Sequence, residues 1–496
     1  MPFNPPGGGP AAAPGGFTFT NSPVLDAILT TAIGLAAGKY HPFFVGGILY
    51  VKWYKKNVLD KMEDAFAAGY DPALELAKLH TGQQKPASIV GDSRVERKEQ
   101  PTIDSIMKGE EPGHYYMLLG PKGAGKGTMI FRSMAEVDAE GISLCDAHPD
   151  MEVFRLRLGK ALNFEFNEDT QTGLFQRRDP REALNKLEKV ALKCVQRRRK
   201  PLVLVINNVH FFQNNDEGQH ALLQLQQKAE AWAASGCSFS FYVISSDDFW
   251  PFHVLRKNAS RMHVISITDL DRRDSIQATN QIRQLAKLDP VAPEVMEEAI
   301  SIVGGRLAFL NKVSKSKDPL WTAKHLLDVE KGWLLSQIGL IPDCDDDVMD
   351  EQKWSSCSWL LLEAFVKQRQ EQEAEHVAAG GSLDDDLPLP KLSWYQARQI
   401  MTRADFMEEL DRLNIIAIDI HHDVRPDSNL ILRVAREVTT EDGFDDLLQG
   451  VRDRIDEIES LHRTRELTFK DLGKGDMVRL AVDKRGEELL EMINDD

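Results

Sequence analysis

The sequence predicts an α/β fold: a P-loop-type parallel sheet, then a helical lid and a C-terminal winged helix, with an apolar helical segment at the N-terminus. Three observations predict it. A glycine-rich loop, Gly120-Pro121-Lys122-Gly123-Ala124-Gly125-Lys126-Gly127-Thr128, stands between the apolar run Tyr115–Leu119 and a stretch, Met129 to Val137, that can continue as a helix. Apolar strand-like runs then alternate with amphipathic stretches to about residue 275, the alternation of an α/β domain. Near the C-terminus, two short helices joined by Thr402-Arg403 precede apolar runs on either side of a polar tip, the winged-helix plan.

Composition sets the outer bounds. A chain of 496 residues exceeds one ordinary core and calls for two to four domains. The net charge of −17 gives no overall attraction to nucleic acid or anionic lipid. The five cysteines are scattered singly, with no CxxC pair. That argues against a zinc site or disulfide framework and for an intracellular, reducing compartment. The first 38 residues contain no Lys or Arg, so neither a secretory signal nor a matrix-targeting presequence of the usual form is expected.

Taken in order, residues 1–21 are rich in Pro, Gly and Ala and are expected to be disordered. Residues 22–65 carry two apolar runs, Ala27 to Gly38 and Phe43 to Val51, interrupted by Lys39-Tyr40-His41-Pro42 and followed by Lys52, Lys55, Lys56 and Lys61. Each run is shorter than the roughly 20 residues of one span. A tilted helix tolerating Lys39, a hairpin lying in the membrane interface, and a helical pair packed on the protein's own core all fit. Membrane association through 22–60 is the expectation carried forward. Residues 66–110 read as a short helix and polar linker, with a boundary in Lys85 to Thr102.

Residues 111–275 form the α/β core. The expected strands are Tyr115–Leu119, Ile142–Cys145, Leu202–Ile206, Phe239–Ile244 and His263–Ile267, and Pro180–Arg199 and Gly218–Ser235 have helical spacing. Residues 276–345 are a helical lid, broken at Val303-Gly304-Gly305-Arg306-Leu307. The acidic stretch 343–351 fails the calcium-loop template, because Val348 stands where glycine is required, and reads as a solvated turn. Residues 346–390 hold a helix from about Trp354 to Glu375 and a linker, Ala378 to Pro390.

The winged helix occupies 391–496. Its expected elements are helices Trp394–Met401 and Ala404–Leu413, strand Ile415–Ile420, tip His421–Ser428, second strand Leu430–Val434, and an amphipathic helix Phe444–Leu461. From Thr402 to Asn414, two arginines (Arg403, Arg412) face four acids (Asp405, Glu408, Glu409, Asp411), a net of −2. A DNA-reading helix needs exposed Lys and Arg. This one predicts contact with a protein, or with the α/β domain itself.

The chemistry lies in two motifs. In the loop, glycines let successive backbone N–H groups turn toward one anion, and the following helix adds its dipole. Lys126 would reach the β- and γ-phosphates, so the loop predicts ATP with Mg²⁺. Gly127 stands where Ser or Thr usually follows the lysine, which leaves Thr128 as the metal-ligand candidate. The second motif is Leu202-Val203-Leu204-Val205-Ile206-Asn207-Asn208-Val209-His210. Acids are expected at its first two polar positions, one to hold Mg²⁺ and one to orient or deprotonate water. Both are Asn here. An amide can accept a hydrogen bond from a metal-bound water, so Asn207 remains a metal candidate, but it carries no charge and is no base. His210 could substitute in principle.

The glycine loop, the altered second motif, Ser245-Ser246-Asp247-Asp248 and Gly304-Gly305-Arg306 together resemble the AAA+/STAND group of P-loop ATPases. The Gly-Gly-Arg stretch with Leu307 and Leu310 is similar to that of the mitochondrial escape protein of the fungal inner membrane. With Arg403-Ala404-Asp405-Phe406 added, the pattern resembles fungal AAA-type proteins. The resemblance implies a sensor-one role for Ser245 and Asp247, arginine fingers at Arg256 and Arg261, the lid arginine at Arg306, homo-oligomerisation and a mitochondrial membrane.

The function expected is ATP binding used for conformational or assembly control, with weak or no hydrolysis. Three alternatives stay open. One is an active ATPase, relying on acids such as Asp247, that remodels protein or nucleic-acid complexes. Another is a nucleotide kinase, suggested by Gly125-Lys126-Gly127-Thr128. The last is a membrane-tethered scaffold with a vestigial loop.

Overall fold

The computed structural model describes residues 49, 52, 53, 55–70, 97–111, 113–164, 180–198, 201–234, 240–381, 387–465, 477–482 and 488–493. Five strands form one parallel sheet: β1 (Tyr115–Leu119), β2 (Ile142–Asp146), β3 (Leu202–Asn207), β4 (Ser240–Ser246) and β5 (Met262–Ser266). Their order is β2-β3-β4-β1-β5. Strands β1 and β3 are buried along their whole length, which is why they read as continuous apolar runs rather than alternating ones. Successive residues supply opposite faces. Tyr115, Met117, Leu204 and Ile206 join one core, while Tyr116, Leu118, Val203 and Val205 join the other.

Residues 55–66, the end of the N-terminal segment, pack on this domain, while Leu49 and Trp53 are exposed. A helix over 55–64 (α1) leads into Phe66, and Val58, Met62 and Phe66 are buried in the core. Lys193 pairs with Asp60 at 3.0 Å and Arg197 with Glu63 at 2.6 Å. The Gly141 N–H donates to the Phe66 carbonyl at 2.9 Å. Of the expected membrane segment, 55–65 is therefore a docked helix, and the tail expected at 1–21 and the span over 22–48 lie outside the described residues. Among the described residues no helix is long and apolar enough to cross a membrane.

The expected 66–110 linker also contains structure. Gln100–Met107 is a helix (α2), buried through Ile103, Ile106 and Met107. Gln100 Nε2 donates to Ser133 Oγ at 3.0 Å on the helix that follows the glycine loop, α3 (Lys126–Glu136). The core continues through α4 (Met151–Ala161), α5 (Pro180–Arg198), α6 (Asp216–Ala234) and α7 (Trp250–Arg256). Four lid helices follow: α8 (Arg272–Leu285), α9 (Pro293–Val303), α10 (Leu307–Lys315) and α11 (Pro319–Ile338). Gly304 and Gly305 make the break between α9 and α10. Gly304 has φ +71°, and a Cβ on Gly305 would lie 1.8 Å from the Leu270 carbonyl oxygen.

The acidic stretch is a 3-10 turn, Asp346–Val348, running into α12 (Met349–Ala378), longer at both ends than expected. Helices α13 (Trp394–Met401) and α14 (Ala404–Arg412) stand where the sequence places them. The wing differs. Its strands are β7 (Ile416–Ile418) and β8 (Asp423–Pro426), with β6 (Leu392–Ser393) on the other side of β8. Leu430–Val434, expected as the second wing strand, lies instead in α15 (Asn429–Thr439). Ser428 caps that helix by accepting from the Ile431 N–H. Buried Leu430, Ile431, Val434, Ala435 and Val438 recur at helical spacing, a period that five residues could not reveal. The true strand alternates, with Val424 and Pro426 inward and Asp423 and Arg425 outward, so it read as polar tip. Helix α16 (Phe444–Arg465) follows, and then a hairpin that the sequence reading missed, β9 (Met477–Val482) with β10 (Glu488–Ile493).

Candidate functional site

The glycine loop leaves the carboxyl end of β1 and enters α3. Gly123 has φ +80° and Gly125, the residue before the helix, φ +100°, the left-handed region that glycine occupies without strain. Gly120 passes so close to β5 that a Cβ there would lie 2.3 Å from the Ile267 carbonyl oxygen. A second strap closes the loop from outside. Arg97, in the stretch expected as linker, is buried; its guanidinium donates to the Ala124 carbonyl at 2.6 Å and to the Thr268 carbonyl. Nothing in the sequence around Arg97 sets it apart from other polar linker residues.

Lys126 is buried. Its ammonium pairs with Asp247 Oδ1 at 2.7 Å and donates to the Pro121 carbonyl at 2.9 Å and to that of Gly120. Burial pulls its pKa below the ordinary lysine value, against the opposing charge of Asp247. Asp247 follows β4; its N–H donates to His210 Nδ1 at 3.2 Å. Burial also lowers the His210 pKa, so the imidazole is a neutral acceptor there.

The Asn pair sits in a chain of hydrogen bonds across three strand ends. Asn207 Nδ2 donates to Asp146 Oδ1, at the end of β2, at 2.8 Å. Ser245, on β4, donates its hydroxyl to Asn207 Oδ1 and accepts from the Asn208 N–H at 3.0 Å. Asn208 itself has φ +58°, a conformation asparagine tolerates and glutamate resists. Asp146 was not singled out in the sequence; its position opposite Asn207 follows only from strand register.

Arg306 is a further buried cation at the loop. Its guanidinium grips Asp269 with two bonds, Nε to Oδ1 at 2.6 Å and Nη2 to Oδ2 at 3.1 Å. It donates to the Lys122 carbonyl of the glycine loop at 2.9 Å. It also reaches Asp427, which precedes α15, at its Oδ2 (2.8 Å) and its backbone carbonyl. Asp427 is buried, and burial raises its carboxyl pKa despite the pull of Arg306.

The winged helix meets the α/β domain at several further points. The Phe249 N–H donates to Asp411 Oδ2 at 2.7 Å, and Asn214 Nδ2 to Glu408 Oε2 at 3.0 Å, both on α14. Asn429 and Arg433 of α15 donate to the Ser301 carbonyl of the lid. Asp248 lies beside this contact; burial, then the charge of Asp247, push its carboxyl up to about 7. Burial and the charge of Asp248 raise Asp411 in the same way.

The structure thus brings Lys126, Asn207, Ser245, Asp247 and Arg306 to one end of the sheet, with Thr128 exposed on the first turn of α3. Two expected arginines lie elsewhere. The Arg261 carbonyl accepts from the Tyr115 N–H, at the start of β1 and so at the end of the sheet remote from the loop. Arg256 contacts His422 in the wing at 3.1 Å. A loop of left-handed glycines at a helix N-terminus, with one buried lysine, fits a polyphosphate. Hydroxyl, amide and carboxylate oxygens from Thr128, Asn207 and Asp146 suit magnesium, a hard cation that keeps much of its water.

Residues 335–459 match the family model of the fungal AAA protein C-terminal winged helix domain, a stretch that includes α12. No curated protein matches the chain. Among solved structures the chain is similar to a Walker-type ATPase of Pyrococcus abyssi, at 15% identity, covering 70% of this chain and 99% of that one with a TM-score of 0.44. It is similar also to the Aeropyrum pernix ORC2 protein in ADPNP–ADP complexes, at 12% identity, covering 76% and 98% with a TM-score of 0.41. A third is domain III of the replication initiation protein DnaA from Thermotoga maritima, at 16% identity, covering 49% and 98% with a TM-score of 0.32. The fold is a parallel α/β sheet with a glycine loop at its carboxyl edge, followed by helices and a C-terminal winged helix that matches the fungal AAA family model.

Proposed function

We propose that this chain, whose residues 335–459 match the family model of the fungal AAA winged helix, binds magnesium–ATP at Gly120–Thr128 and uses it to set the position of the lid and winged helix, with slow hydrolysis. One observation carries the reading. Both cations that would meet a polyphosphate are held by carboxylates, Lys126 by Asp247 and Arg306 by Asp269 and Asp427. Asp427 comes from the winged-helix region. A triphosphate entering the loop competes with Asp247 for Lys126 and with Asp427 for Arg306. Losing Asp427 from Arg306 loosens the winged helix, and by linkage a docked winged helix weakens ATP binding by the same factor.

Within this reading each group has a task. The loop N–H groups bind phosphate oxygens, Lys126 and Arg306 balance their charge, and Thr128 with Asn207 holds the metal side. Magnesium, when bound, neutralises charge between the β- and γ-phosphate oxygens. Asn208 is no base, Asp247 is tied to Lys126, and the His210 Nδ1 lone pair is taken by the Asp247 N–H, so water lacks a strong activating group. The second helix of the helix–turn–helix, α14, uses Glu408 and Asp411 against the α/β domain, which favours a protein contact over duplex DNA. Membrane attachment through the two apolar runs of 22–60 is proposed on those runs and the lysines that follow them; a mitochondrial location and self-association are proposed on the resemblance.

Calorimetric titration of ATP tests the proposal. Lys126→Ala should weaken binding at least about tenfold, through loss of a charge-assisted contact of roughly 1.5–3 kcal/mol. Unchanged affinity would remove it.

A further inference from the structure

The end of β3 lacks an acid, but the strand beside it ends in one. In the sheet register Asp146 is the partner of Asn207, and its Oδ1 accepts from Asn207 Nδ2 at 2.8 Å. Asn207 is buried, and Asp146 is half-buried at the rim. Among the described residues the Asp146 carboxylate has no Lys or Arg partner. Asp247 has Lys126, and Asp269 and Asp427 share Arg306; Asp248, which forms no such pair among them either, is buried. Asp146 ends the edge strand, separated from β1 by β3 and β4, and meets the site through Asn207; its charge, without a cation, is completed by a divalent metal held next to Asn207. The amide is well suited to the middle position. Its Nδ2 is fixed by Asp146 and its Oδ1 by the Ser245 hydroxyl, so the whole group is oriented.

We infer that Asp146 supplies the metal-side negative charge of the nucleotide site, a carboxylate moved from the end of β3 to the end of β2, with Asn207 as the oriented amide between acid and serine. The inference rests on the reading that the loop binds nucleotide. It makes Asp146 a positioning residue: its charge acts on magnesium-bound water beside Asn207 and it touches no phosphate. It also separates the two acid roles. The charge that favours the metal is restored by Asp146, while the basicity missing at Asn208 is not, so tight magnesium–ATP binding and slow turnover coexist.

The test uses the full chain and a fluorescent ATP analogue, titrated in excess magnesium and in excess EDTA. Asp146→Asn keeps an acceptor for Asn207 Nδ2 and removes only the charge, so a purely structural hydrogen bond survives it. Magnesium should tighten wild-type binding about tenfold, the scale of one charge-assisted contact. In Asp146→Asn that gain should fall to about twofold or less with the EDTA affinity unchanged. Asp146→Asn combined with Asn207→Asp should restore it, because the charge returns across the same hydrogen bond. A full magnesium gain in Asp146→Asn, or failure of the swap to restore a lost gain, overturns the inference. Wild-type binding that ignores magnesium overturns it too and leaves the nucleotide reading standing. If wild type binds no nucleotide in either buffer, the nucleotide reading falls and takes this inference with it.

Discussion

Asp427→Asn is the sharpest probe of coupling between nucleotide and winged helix. In the structure Arg306 Nη1 donates to Asp427 Oδ2 at 2.8 Å and Nη2 to the Asp427 carbonyl. Asparagine keeps the backbone carbonyl and an amide oxygen, and loses the charge. Arg306 stays charged, so the bond to the amide oxygen keeps one of its two charges; a charge-assisted bond contributes roughly 1.5–3 kcal/mol, and losing the carboxylate charge removes part of that. The substitution thus weakens docking by about 1–2 kcal/mol. The larger loss of about 3–5 kcal/mol for a broken buried pair does not apply, because Asp269 still holds Arg306 by two bonds. If docking and nucleotide compete for Arg306, that energy returns as ATP affinity, about 5–30-fold tighter binding. Calorimetry with ATP reads the gain. Hydrogen exchange at Phe249, whose N–H donates to Asp411, reads the loosening without nucleotide. ATP affinity that is unchanged or weaker in Asp427→Asn, with the protein still folded, would refute the competition.

Three other outcomes are expected. Gly120→Ala should lower stability by at least about 2 kcal/mol in thermal melts, because its Cβ would meet the backbone oxygen of Ile267 at 2.3 Å, which no side-chain rotation relieves. Stability should fall as pH rises from about 4 to 7. The Asp248 pKa is raised from 3.8 to about 7, so the folded state holds a proton in that window that the unfolded chain has lost. The loss is complete above about pH 7 and is at most about 4 kcal/mol. Asp248 faces Asp247 and Asp411, with Lys122, Lys126 and Arg412 opposing. Denaturant melts of wild type and Asp248→Asn across this range should differ in slope, the variant being flatter. The full chain should show no salt-sensitive binding to duplex DNA at physiological ionic strength, because Arg403 and Arg412 are paired with Asp405 and Glu409; a steep salt dependence in fluorescence anisotropy would count against the winged-helix reading.

The motifs that follow strands were legible in the sequence because they are local. Five apolar runs separated by helical spacing, with glycines after the first and a polar pair after the third, specify a parallel sheet with a loop at its carboxyl edge. Helices α13 and α14 were legible for the same reason: each carries its own cap or apolar stripe, and Ser393 with Gln396 forms a capping box. Short, strongly apolar segments misled. Leu430–Val434 has the composition of a strand, and only its cap and the burial of residues four and eight positions beyond Leu430 make it a helix. The alternating Asp423–Pro426 passed for a tip because half of each strand's side chains face outward.

Residue types alone showed two amides where acids were expected and two cations, Lys126 and Arg306, near a phosphate loop. What surrounds those residues depends on pairing between segments far apart in the chain, and only the tertiary structure decided it. Strand register put Asp146 against Asn207, across 61 positions. Folding of the C-terminal region onto the lid put Asp427 on Arg306, across 121 positions, and Asp411 on the Phe249 backbone, across 162. Burial then set the Asp248 and Asp411 carboxyls above their ordinary range. Sequence patterning carries local periodicity and turn chemistry. Charge compensation inside a fold depends on distances of a few ångströms between segments whose separation along the chain carries no trace of them.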